Sequence, residues 1–157
     1  MSWWQIVRAA LFSGACCGLL VSAVQTVAIL LRGDAALSGA SGSFVATMLS
    51  FLVLGGAGRV LGVRTRAVSP GWQVGGLAGG ISESIHYVAA AAVLTLSPQG
   101  QAIYNHLTPE QQRQASDIAL GLIELGATTA LGMLFGAGYG FLGAWSAIRL
   151  KPPSETT

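Results

Sequence analysis

Charged residues are scarce in this sequence. Only 9% of its 157 residues are Asp, Glu, Lys or Arg, whereas a soluble domain has about 25%. Hydrophobic residues make up 52% of the chain, and they are concentrated in runs of the length needed to cross a bilayer, which is about 20 residues. The shortage of charge excludes an ordinary soluble domain and predicts an all-α integral membrane protein.

Cysteine, histidine and clustered basic residues are also in short supply. The chain has two cysteines and two histidines, and neither type has the spacing of a disulfide framework or a zinc site. Its net charge is only +2, and Lys and Arg sit at the ends of apolar runs rather than on one face, which argues against nucleic acid. Catalytic signatures such as GxSxG, HExxH or a Walker loop do not occur. We therefore expect no enzymatic activity, no bound metal and no nucleic-acid partner.

Four apolar segments are predicted to span the membrane, and together they form a single membrane domain over residues 1–157. The spans cover about residues 9–31, 44–63, 74–96 and 118–148. The first run exceeds the roughly 7–15 residues of a signal-peptide core, so we interpret it as a retained span. Turns are expected at Arg32-Gly33-Asp34 and at Ser69-Pro70-Gly71.

The only extended polar segment is predicted to lie outside the membrane at residues 97–117. Within it Thr108, Pro109 and Gln111 have the pattern of a helix start, with a capping threonine followed by proline at the first helical position. We therefore expect one long helix from Pro109 through the last span to Ile148.

The basic residues predict the orientation of the spans. Six fall on one side of the membrane and two on the other; the six are Arg8, Arg59, Arg64, Arg66, Arg149 and Lys151. By the positive-inside rule both termini are expected in the cytoplasm. We expect a multi-pass protein of the cell (inner) membrane, whose first partner is the lipid bilayer.

Glycine spacing predicts which helix faces touch. Small residues recur every four positions along one face of the third and fourth spans, and a shorter row occurs in the first. The predicted packing residues are Gly14, Gly18, Gly75, Gly79, Gly132, Gly136 and Gly140. Because small residues let helix backbones approach closely, we expect four transmembrane helices arranged as two hairpins with glycine-rich packing.

Two ionisable residues lie in the middle of the third span. Glu83 and His86 are three positions apart, which places both on one helix face near mid-bilayer. An ionised acid at the bilayer centre costs about 2.5–3.5 kcal/mol, so such a residue faces protein or water and usually has a use. Glu124 lies near the outer boundary of the last span and is not expected to share a proton or metal ion with Glu83.

The interpretation favoured by the sequence is that the Glu83 side chain stabilises the contact between helices through hydrogen bonds. Its expected hydrogen-bond partners are Ser82, Ser84, Gln25 and Thr26. The protein would then be a non-enzymatic accessory or scaffold subunit of a homo-oligomer or of a larger membrane complex. Four spans with short loops and no proline inside the membrane offer little machinery for transport.

Two alternatives remain open. In the first, the protein is a proton- or cation-coupled transporter or channel-forming protein that uses Glu83 and His86. Tyr87, Glu124 and Gln25 are its further ion or ligand candidates. In the second, His86 is a ligand to haem or to a pigment, because one imidazole facing an apolar cleft is sufficient. Apart from a haem or pigment at His86, no cofactor is expected.

Overall fold

The computed structural model describes residues 1–32 and 40–150 of the chain. All regular secondary structure in these residues is helical, and they contain no strand. The six described helices are α1 (Trp3–Arg32), α2 (Ala40–Thr65), α3 (Ser69–Leu96), α4 (Pro98–His106), α5 (Pro109–Ala115) and α6 (Ile118–Arg149). Part of the predicted turn, Gly33 and Asp34, lies outside the described residues, as does Lys151.

Four of these helices, α1, α2, α3 and α6, are long and apolar enough to cross a membrane. This confirms the all-helical class and the expectation of four helices long and apolar enough to span a membrane. The helices extend past the predicted bounds, because polar and aromatic residues such as Trp3, Arg8 and Trp72 continue the helical backbone beyond the apolar run. The fold is therefore compatible with a membrane-embedded protein.

The expected continuous helix from Pro109 to Ile148 is wrong. The capping box predicted at Thr108 is confirmed, since Thr108 Oγ1 accepts from Gln111 N at 3.3 Å and Gln111 Oε1 accepts from Thr108 N at 2.9 Å. However, α5 ends at Ala115, and Asp117 begins a separate helix by accepting a hydrogen bond from the backbone N–H of Ala119 at 2.9 Å. Aspartate is a favoured N-cap because its side chain satisfies backbone donors that the first turn leaves free.

Neighbouring residues define how the four spans run. Gly14 lies beside Ala78 and Gly18 beside Ser82, so α1 and α3 are parallel. Likewise α2 and α6 are parallel, whereas α3 and α6 are antiparallel. Helix α3 packs most extensively against α6 and also contacts α1 and α2. One end of the bundle, called here the basic end, contains the start of α1 and the end of α6; the opposite end, which carries α4 and α5, is called the α4–α5 end.

The buried core lies towards the basic end. Its apolar members are Ile6, Ala10, Cys17, Val21, Leu54, Leu61, Val74, Ala78, Ala144 and Ala147. Small residues dominate this set, which lets the helices approach closely. Large apolar side chains, among them Phe12, Leu52 and Leu134, are instead exposed on the outside of the bundle, as expected of a surface that faces lipid.

Several glycines lie close to the backbone of a neighbouring helix. A Cβ added at Gly75 would meet the carbonyl oxygen of Gly136, and one at Gly79 would meet that of Gly132. Gly140 lies against Gly71 in the same way. At the contact of α1 with α3, a Cβ on Gly14 would lie 2.7 Å from the carbonyl oxygen of Ala78. Each of these contacts leaves no space for a side chain.

Candidate functional site

Helices α1, α2, α3 and α6 line a partly open cavity of about 410 Å³ near the middle of the bundle. This volume is within the range of small-molecule sites. Helix α1 contributes Val21 and Gln25, and α3 contributes Gly79, Ser82, Glu83 and His86. The remaining lining residues come from the middle portions of α2 and α6, and include Thr47, Ser50, Thr128 and Tyr139.

Helix α3 changes from a packing surface to a polar surface within one turn. Gly79 holds α3 against α6, and the next residues on that face are Glu83 and His86, because positions three and four apart are neighbours on a helix. The aliphatic stem of Glu83 packs against Gly132 of α6, which has no side chain to displace it. Glycine on α6 therefore makes the space that Glu83 occupies.

The carboxylate of Glu83 is open to the cavity. Glu83 is half-buried. Its carboxylate makes no hydrogen bond with any residue in the described part of the chain, including the expected partners Ser82, Ser84, Gln25 and Thr26. No fully buried side-chain oxygen or nitrogen among the described residues lacks a hydrogen-bond partner. The unbonded carboxylate oxygens are therefore accessible from the cavity and are not sealed inside the protein.

His86 is held from one side by α1. Its Nδ1 lies 3.5 Å from Oγ of Ser22, which is almost completely buried. Nε2 has no hydrogen-bond partner among the side chains that the structure describes. His86 is also close enough to Glu83 for an electrostatic interaction between the two. Sequence reasoning missed Ser22, because only the packing of α1 on α3 brings residues 64 positions apart together.

A side-chain hydrogen bond between α3 and α6 is formed by Ser84, which was expected to bond Glu83, and by Thr129, which the sequence did not suggest as a partner. Oγ of Ser84 lies 3.0 Å from Oγ1 of Thr129, and it also donates to the carbonyl oxygen of Gly80 at 2.9 Å. Such hydrogen bonds between membrane helices contribute about 0.6 kcal/mol on average. The interhelical role expected of Glu83 is thus carried out by the neighbouring serine.

Tyr87 and Glu124 form a contact outside the cavity, towards the α4–α5 end. The Tyr87 hydroxyl lies 3.1 Å from the carbonyl oxygen of Gly121 and 3.3 Å from Oε2 of Glu124. Glu124 is exposed and does not line the cavity. Gln25, the remaining candidate, lines the cavity and has no hydrogen-bond partner among the described residues.

Comparison of the chain with protein-family models, curated proteins and solved structures gives no match. Function is therefore inferred from the cavity itself. In the described part of the chain, no group of three or more His, Cys, Asp or Glu side chains is placed to hold a metal ion. The cavity offers one carboxylate, one imidazole, and hydroxyl and amide groups, a set suited to a proton or a single cation.

Proposed function

We propose that the protein is a small proton- or cation-transport unit whose binding site is the carboxylate of Glu83 with the imidazole of His86. The observation that carries the proposal is that both side chains line one cavity among the four spans. An ionised acid at the bilayer centre costs about 2.5–3.5 kcal/mol. A bound cation or proton would offset this cost, and within the described residues no hydrogen bond of Glu83 does so.

The two side chains have complementary roles in this proposal. Glu83 supplies negative charge and oxygen ligands, and its stem is positioned against Gly132. His86 supplies an imidazole nitrogen, and Ser22 orients its ring through Nδ1. Gln25 faces the same space from α1 and would complete the ligand's coordination with its amide oxygen.

The proposal includes the orientation of the bundle in the cell (inner) membrane, with both termini in the cytoplasm. Arginines at the basic end support it under the positive-inside rule. Arg8 lies 5.3 Å from the ring centroid of Trp4, and Arg149 lies 4.9 Å from that of Trp145. Indole and guanidinium groups stacked at one end of the spans are typical of the headgroup level.

The second candidate is the accessory or scaffold role in a homo-oligomer or a larger complex, with the helices arranged as two glycine-packed hairpins. It is favoured by Gly56, Gly126 and Gly138, which are exposed. A Cβ at any of them would meet nothing within 4 Å. These glycines leave room for the close approach of another helix, as small residues do in membrane interfaces.

Purified protein in proteoliposomes, loaded with a pH-sensitive dye or a cation-sensitive dye, would test the transport proposal. We expect a flux that falls at least about tenfold in Glu83→Gln, because glutamine keeps the shape of glutamate but removes its charge. His86→Gln should also reduce the flux. The matched control is Glu110→Gln, which neutralises an exposed carboxylate on α5 and should leave the flux unchanged.

The same preparation distinguishes the alternatives. Wild-type protein that passes neither protons nor the mono- and divalent cations tested would overturn the transport proposal. A stable complex with other membrane proteins in that case would favour the accessory role. A Soret or pigment absorption band that is lost in His86→Gln would instead assign His86 as a cofactor ligand.

A further inference from the structure

The half of the bundle between the cavity and the basic end is closed by packing. Helices α3 and α6 touch backbone to backbone at Gly71 with Gly140 and at Gly75 with Gly136. On the α1 side of α3, Cys17, Val74 and Ala78 are completely buried. Between α3 and α6, these backbone contacts leave no space through which an ion could pass towards the basic end.

The other half of α3 and α6 has no comparable close packing. No residue of α3 after Ser82 is buried, and no residue of α6 before Gly132 is buried. Both helices are described along their whole length, so this difference is a property of their packing. The cavity lies at the boundary between the two halves, since its floor includes Gly79, Gly136 and Leu54.

Oxygen atoms continue from the cavity towards the α4–α5 end. Tyr87 is one turn beyond Glu83 on α3, and Glu124 is one turn before the lining residue Thr128 on α6. The Tyr87 hydroxyl joins the two helices through Glu124 Oε2 and the carbonyl oxygen of Gly121. A carboxylate at the mouth of a cavity raises the local concentration of cations and repels anions.

We infer that the cavity is a half-channel that opens only towards the α4–α5 end, and that Glu124 with Tyr87 forms a cation-selective mouth between α3 and α6. This inference rests on the proposed function for the identity of the solute, a proton or small cation. The direction of access rests on the packing alone. A solute reaches Glu83 and His86 from one side of the membrane, and the basic half has to loosen before it can leave on the other side.

The sidedness can be measured by the reaction of introduced cysteines with membrane-impermeant thiosulfonates in sealed vesicles of known orientation. The background protein carries Cys16→Ser and Cys17→Ser. Thr128→Cys reports on the cavity, Glu110→Cys marks the α4–α5 side and Ser2→Cys marks the basic side. We expect Thr128→Cys to react from the side that labels Glu110→Cys, at least about tenfold faster than from the opposite side.

The charge of the reagent tests the mouth. We expect a cationic thiosulfonate to modify Thr128→Cys several-fold faster than an anionic one, after correction for their intrinsic reactivities. Adding Glu124→Gln should bring the two rates together without changing the side of access. Gln25→Cys reports on the same cavity from α1, so the experiment does not depend on one variant folding well.

Each result decides the inference. Equal labelling from both sides, labelling from the basic side, or no labelling of either cavity cysteine would overturn the half-channel. A rate ratio unaffected by Glu124→Gln would overturn the mouth. Labelling from the α4–α5 side in a protein without flux would support the half-channel and overturn the transport proposal. Flux together with labelling from the basic side would support transport and overturn the half-channel.

Discussion

The basic half and the α4–α5 half of this bundle are built from the same helices but packed in different ways. In the basic half, glycines bring α3 and α6 into backbone contact, and Val74 and Ala78 on the α1 side of α3 are completely buried. In the α4–α5 half, Glu83, His86 and Tyr87 occupy the corresponding face of α3. The change within one turn after Gly79 shows how a short helix face can combine a tight seal with a polar cavity.

The largest expected effect on stability comes from disrupting the close contact of α3 with α6 in the basic half. Gly75→Leu places a side chain against the carbonyl oxygen of Gly136, on a backbone that cannot move away without separating α3 from α6. We expect the variant to lose at least about 3 kcal/mol, the upper end of ordinary overpacking costs, or to fail to fold. Thermal unfolding and size-exclusion profiles in detergent would measure this.

The matched control for Gly75→Leu is Gly138→Leu, because a Cβ at Gly138 meets nothing within 4 Å. Its free energy of unfolding should stay within about 0.5 kcal/mol of the wild type. Wild-type stability in Gly75→Leu would refute the tight contact of α3 with α6. Loss of self-association in Gly138→Leu alone would instead favour the scaffold role.

A smaller effect is expected from two valines on the same helix. Val74 is completely buried in the basic half, whereas Val88 is 60% exposed in the other half. Val74→Ala leaves a void and should cost roughly 1 kcal/mol through lost packing, while Val88→Ala should change stability by less than about 0.5 kcal/mol. Equal losses in parallel denaturation curves would contradict the difference between the two halves.

The smallest effect concerns the hydrogen bond that ties α3 to α6 beside the cavity. Removing the Ser84 hydroxyl with Ser84→Ala should cost about 0.6 kcal/mol, the average for such bonds in membranes. A double-mutant cycle with Thr129→Val isolates the interaction, since the two oxygens lie 3.0 Å apart. A coupling energy near zero would show that the helices are held together without this bond. Ser146→Ala is the control, because its hydroxyl bonds within its own helix.

Local features of the chain were sufficient to predict the four long apolar helices and the cap at Thr108, since both depend on residues close together in sequence. The break between α5 and α6 is also local: Asp117 is a favoured N-cap, but the long apolar pattern beyond it hid the helix start. Predicting hydrogen bonds for Glu83 from nearby polar residues failed for a different reason. Ser84 lies next to Glu83 in sequence but about 100° away around the helix, so it meets α6 at Thr129.

The amino-acid sequence alone determined that this is a helical protein with four helices long and apolar enough to span a membrane, and that an acid and an imidazole share the middle of one of them. A lipid-soluble span needs only a sufficient apolar run, because a helix satisfies its own backbone hydrogen bonds. Tertiary structure decided what surrounds Glu83 and His86. The cavity, the Ser22 contact and the sealed basic half all depend on faces of helices far apart in the chain, whose packing follows from the shape of the assembled bundle.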